Sequence, residues 1–226
     1  MANVTKNIRL SAFDKIIANN HAISVMLQEN EDLYKRLESK KVDVPKDKDL
    51  IKFPVGRINR LVEFEEPFHL PEIINRENTM KNVEYNLQIC SLYEYLTSRF
   101  AFYGSIETML YMDWFIRLVS VIEAMIDNSA QYLGIDELLK EKQKKNEIER
   151  LITARDRMNH KNYKTNVGFS SELHKLLNDL YDQRNKIHLD KTNGDNSGKL
   201  KFTLEDVKLA EYALRELTEL IYQNVY

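Results

Sequence analysis

All four prolines of this chain fall within a window of 27 residues, at Pro45, Pro54, Pro67 and Pro71, and only six glycines are spread over its 226 positions. Proline removes a backbone donor and clashes with the preceding helical turn, and glycine costs a helix about 1 kcal/mol relative to alanine. A chain nearly free of both outside one window meets few obstacles to helix. The expected fold class is therefore all-α. Each proline also pushes the residue before it towards extended backbone. Residues 41–72, "KVDVPKDKDLIKFPVGRINRLVEFEEPFHLPE", are expected to form an extended, Pro-containing linker with a short strand at 60–65.

On either side of that window the apolar residues recur at helical spacing. Residues 5–40 read as one long helix or two short ones, with Asn19-Asn20 as a break. Residues 73–103 read as a helix, with a stop and cap at Gly104-Ser105. Residues 106–132 form the most apolar helix, expected at the centre and ended by Gly134. Asp136 is expected to cap a helix running to about residue 158, followed by a loop through "KNYKTNVGFSS". Ser170 or Ser171 starts the next helix, and "DKTNGDNSGK" is a loop. Thr203 opens the last helix, with Asp206 completing a capping box in which Asp replaces the usual Glu or Gln. The expected architecture is an up-and-down helical bundle over 73–226, preceded by a helical N-terminal extension and linker over 1–72.

The bulk charge gives little direction. Thirty-three basic side chains face 35 acidic ones, so any affinity for nucleic acid has to come from a local patch. The stretch 140–164, "KEKQKKNEIERLITARDRMNHKNYK", is such a patch, with nine Lys or Arg against four Asp or Glu. The only cysteine is Cys90, which excludes an intrachain disulfide and a cysteine-based zinc site. A cytoplasmic location is expected from that cysteine usage and from a start, MANVTKNIRL, without a signal-peptide core. The most apolar stretch is broken by Asp113, Arg117 and Glu123, so no membrane span is expected.

Several chemistries lack their residues. The five histidines, His21, His69, His160, His174 and His188, form no HExxH pair and no ligand-spaced cluster with carboxylates, so no metal site is expected. There is no GxGxxG, no GxxxxGK[ST] and no GxSxG, so no cofactor is expected either. Two arginine–histidine pairs remain. In "YDQRNKIHLD", Arg184 and His188 are four apart and share one helix face, with Asn185 and Lys186 between them. In "RDRMNH", Arg155, Asp156 and His160 form a second, lower-ranked motif. Such groups suit metal-independent RNA scission. Histidine can move protons near neutral pH, and a guanidinium can clamp the charge that builds on a phosphorane. One histidine does not easily serve as both acid and base, but two copies facing each other supply the pair. The plainer reading is a solvated helix end, where basic residues are favoured by the macrodipole alone.

The order of features adds a resemblance. A central apolar helix carries "LVSVIEAMID", a later helix ends in "YDQRNKIHL", a polar loop follows, and "TLEDVKLAEYALRELTELI" closes the chain. This arrangement, over roughly residues 75–224, resembles the HEPN (higher eukaryotes and prokaryotes nucleotide-binding) superfamily, whose helical bundles carry an Arg…His motif before the last helix. On that resemblance Arg184, Asn185 and His188 match the motif, and Glu123 of the central helix is expected to pair with Arg184. The gap between Arg184 and His188 is three residues, whereas the family pattern has four to six; Arg155 and His160 have four. The resemblance implies an endoribonuclease of the toxin–antitoxin or antiphage-defence type. It would work as a homodimer on RNA, with Lys186 and the 140–164 stretch holding phosphates and an antitoxin-type protein restraining it. The alternatives are a non-catalytic dimeric module that binds a nucleotide or a protein, and a structural helical protein pairing through its Pro-containing arm.

Overall fold

In the computed structural model, the residues described are 19–32, 35–36, 58–146, 150–189 and 201–226, with side chains to Ile187 in the fourth segment. The chain divides into two compact units, Met1–Pro54 and Val55–Tyr226. In the first, residues 19–32 are helical, beginning at Asn19 and Asn20; the segment before them, where a break would have to show, lies outside the described residues.

The second unit is all-α among its described residues. A 3-10 turn, Leu61–Phe64, is followed by α1 (Leu70–Ile73), α2 (Glu77–Thr97), α3 (Ser105–Tyr132), α4 (Ile135–Lys145), α5 (Ala154–Asn159), α6 (Lys161–Val167), α7 (Ser171–Leu189) and α8 (Leu204–Val225). The long helix α3 is the hub and packs against α2, α4, α5, α7 and α8. Its 28 residues span about 42 Å at 1.5 Å per residue. Trp114, Phe115, Leu118, Val119, Ile122, Met125 and Ile126 are all buried on it. A helix covered this completely is apolar on most of its circumference, which explains why its sequence is the most apolar in the chain. The last helix contributes Val207, Ala210, Leu214, Leu217 and Ile221 to the same core.

Two glycines punctuate α3. Gly104 precedes it at φ 59°, ψ −127°, a region only glycine occupies readily, and Ser105 is its first helical residue. Gly134 follows it at φ 66°, left-handed, and turns the chain into α4. Thr203 accepts the backbone N–H of Asp206, whose carboxylate accepts from the N–H of Thr203, so the expected capping box opens α8. Ser170 Oγ accepts from the Leu173 N–H at the start of α7.

Four local expectations are corrected. Residues 60–65 form no strand; Glu63 accepts from both the backbone N–H and the guanidinium of Arg60, which winds the segment into a 3-10 turn and tucks Phe64 into the core. The helix expected over 73–103 is α2, which starts later, at Glu77, and ends earlier, at Thr97; residue 73 closes α1, and 74–76 separate the two. The helix expected from 136 to 158 is two, α4 and α5, and Asp136 does not cap: it takes the guanidinium of Arg157. The segment expected to be a loop at 161–171 contains α6, anchored by buried Tyr163 and Val167 at i and i+4.

The end of α8 is fastened at several points. Tyr222 stacks on His69, with ring centroids 3.8 Å apart and planes 2° from parallel. His69 itself has a positive φ of 47°. The Asn224 amide donates to the Val167 carbonyl at 3.1 Å, and the Tyr226 hydroxyl to the Ile73 carbonyl at 3.2 Å. The Tyr226 ring lies 4.5 Å from that of Tyr132.

Candidate functional site

Helix α7 is continuous through residue 189, so Arg184 and His188 lie one turn apart on one face of it. Arg184 donates to Glu123 Oε1 at 3.0 Å, joining α7 to the central helix. The Arg184 side chain is 25% exposed and that of Glu123 19%, so the pair sits at the edge of the core and still meets solvent. Nε of Arg184 is buried and has no hydrogen-bond partner among the described residues. Burial raises the Glu123 carboxyl above its ordinary value; the guanidinium of Arg184 opposes that shift, and Asp127 adds to it. Asn185 is half-buried and Lys186 exposed. The His188 side chain lies outside the described residues.

Glu123 and Asp127 are four apart on α3, which places both carboxylates on one face. Asp127 accepts from Arg157 at 2.8 Å, and Arg157 also grips both oxygens of Asp136 at 2.6 and 2.9 Å. Arg157 is therefore structural, tying α5 to α3 and α4. The hydrogen bond from Arg157 holds the Asp136 carboxyl below its usual range, whereas burial pushes Asp127 up.

The second motif is also stitched into the fold. Arg155 makes a bidentate pair with Asp182 of α7 and lies 5.8 Å from the centre of the Tyr181 ring. Asp156 accepts from both terminal nitrogens of Arg150, at 2.7 and 2.6 Å, and from the backbone and hydroxyl of Thr153. Asp156 is thus the third residue of the capping box that starts α5, and those donors, Arg150 first, bring its pKa down to about 2. His160 ends α5, half-buried, and its Nδ1 is buried with no partner among the described residues. Arg150, Arg155, Asp156 and His160 all line one cleft of about 370 Å³ between α4 and α5.

The two Arg–His motifs are therefore separate, and the Arg155–Asp182 pair connects the second to the helix carrying the first. A polar cluster that the sequence did not single out lies beside them: His174 Nε2 is 2.8 Å from Asn159 Oδ1, with Asn178 against both. Its members come from α5 and α7, 15 and 19 residues from Asn159, and no local spacing announces it. Among the described residues no group of three or more His, Cys, Asp or Glu is placed to hold a metal ion, and no helix is long and apolar enough to cross a membrane. No family model, curated protein or solved structure matches the chain.

Proposed function

We propose that the corner formed by Glu123, Arg184 and His188 is the reactive site of a HEPN-like, metal-independent endoribonuclease that acts as a homodimer. The observation that carries this reading is the Glu123–Arg184 pair: a carboxylate of the central helix holds the motif guanidinium at 3.0 Å, at the solvent edge, one turn before His188. A positioned guanidinium can stabilise the charge of a pentavalent phosphorane without reorganising. In the proposed reaction the ribose 2′-hydroxyl attacks phosphorus and loses its proton to one histidine. The 5′-oxygen leaves with a proton from the histidine of the second copy, and a 2′,3′-cyclic phosphate remains. Asn185 orients the site and Lys186 holds flanking phosphate. A toxin or defence role, in the cell's interior and under an inhibitory protein partner, follows from the resemblance.

The test is expression and cleavage. The wild-type chain slows cell growth and degrades single-stranded RNA in EDTA. Arg184→Ala and His188→Ala each lower the cleavage rate by about 100-fold or more and relieve the growth defect.

A specific observation also favours a non-catalytic binding module. Both motif arginines are already paired with carboxylates, Arg184 with Glu123 and Arg155 with Asp182. A neutralised guanidinium can still direct N–H donors at a ligand, but it stabilises developing charge less. Under that reading wild type and His188→Ala behave alike in growth and in RNA integrity, while Arg184→Ala weakens ligand binding.

A further inference from the structure

The cleft between α4 and α5 is separate from the Arg184 corner and combines three kinds of surface. One wall is cationic. Lys142 is exposed and has no ion-pair partner among the described residues. Arg150 and Arg155 line the same cleft, and each spends its two terminal nitrogens on one carboxylate. A guanidinium has five N–H donors; Arg150 also reaches the Leu151 carbonyl at 3.4 Å, so two remain on Arg150 and three on Arg155 for an anion. Asp156 is the only carboxylate in the lining, and it is committed to Arg150 and to the start of α5.

The second surface is apolar, from Leu139 and Ile152, both half-buried. The third can make directed hydrogen bonds. Gln143 spends its amide N–H₂ on the Arg150 carbonyl at 3.1 Å, which leaves its oxygen as an acceptor, and the Asn146 amide stands beside it. His160, at the end of α5, lines the cleft too. The volume, about 370 Å³, falls at the lower end of small-molecule sites.

We propose that this cleft binds a phosphate monoester with a flat, hydrogen-bonding body, of the size of a nucleoside monophosphate. The phosphate lies on Lys142 with the free donors of Arg150 and Arg155. The body rests on Leu139 and Ile152, with its polar edge against Gln143, Asn146 and His160. The ligand is either a free mononucleotide or the phosphorylated end of an RNA strand, since both present the same group. The assignment does not depend on the ribonuclease reading.

Titration calorimetry on the full chain tests it with adenosine monophosphate as probe. Saturable binding is expected, at least tenfold tighter than inorganic phosphate and tenfold tighter than adenosine. Lys142→Glu weakens it tenfold or more, and His160→Gln weakens it without altering the thermal transition. Lys175→Glu, an exposed charge change on α7 outside the cleft, leaves it unchanged. Competition by a 5′-phosphorylated oligoribonucleotide, and not by its 5′-hydroxyl twin, identifies a strand end as the source; no competition by either identifies the free nucleotide. Arg184→Ala leaves the affinity for the probe intact even where it abolishes cleavage, so the two proposals fail separately. Absence of saturable binding, equal affinity for phosphate and nucleotide, or equal losses from Lys142→Glu and Lys175→Glu would each overturn the proposal.

Discussion

Arg157 shows how much of the fold depends on single side chains. Its side chain is 10% exposed, and its guanidinium holds Asp136 on one edge and Asp127 on the other. Removing it leaves two carboxylates without their cation, one of them almost as buried. Breaking a buried pair from one side costs about 3–5 kcal/mol, so Arg157→Leu is expected to destabilise the chain by that amount in chemical denaturation. Asp156 gives a pH-dependent counterpart. Its folded pKa, about 2, lies below the ordinary value of 3.8. The stability it contributes is therefore fully present above pH 4 and is lost as pH falls towards 2. Asp156→Asn should cost about 1 kcal/mol at pH 7, as a lost cap interaction does, and the gap from wild type should close in melts taken at successively lower pH. At this scale the sequence was legible in part. The Arg184–Glu123 contact could be expected from the resemblance, and the two are 61 residues apart. The partners of Arg155 and Arg157 could not, because Asp182, Asp127 and Asp136 lie 21 to 30 residues away and the motifs alone show only a surplus of positive charge.

Helices with strong local cues were readable, and those held by tertiary contacts were not. Thr203 with Asp206, followed by apolar residues at helical spacing, announced α8, and its box is intact. Thr203→Ala removes the acceptor for the Asp206 N–H and is expected to lower stability by about 1 kcal/mol, measured as a shift in thermal midpoint. Helix α6 was invisible because Tyr163 and Val167 are its only buried residues, too few to establish a period. Tyr163 is fixed from elsewhere in the chain, by a 2.7 Å hydrogen bond between its hydroxyl and that of Ser129 in α3. The break between α4 and α5 was hidden for the opposite reason. The charged run there reads as helix throughout, but Thr153 starts a new helix with its own capping box. At 60–65 the alternation "LVEFE" mimics a strand, and Glu63, folding back on Arg60, decides otherwise.

For the molecule as a whole, the buried core found among the described residues runs from Phe64 to Ile221. Residues 55–226 should then keep a cooperative thermal transition and strong helical dichroism when Met1–Pro54 is removed. The Cys90 thiol is buried in that core, and burial pushes its pKa up, so a thiol reagent should label it at neutral pH only as denaturant opens the fold. The all-α class could be read in advance because it depends on breaker distribution and apolar spacing, which are properties of the chain alone. How two copies would meet at the Arg184 corner depends on surfaces that a sequence does not arrange in space. The fastening of the last helix has a practical corollary. Tyr222, Asn224 and Tyr226 close over His69, Val167, Ile73 and Tyr132, like the lid of a box with its catch at the rim. Replacing Tyr222, Asn224 and Tyr226 together by alanine would open that catch, and hydrogen exchange would then show the last turns of the helix fraying ahead of the rest.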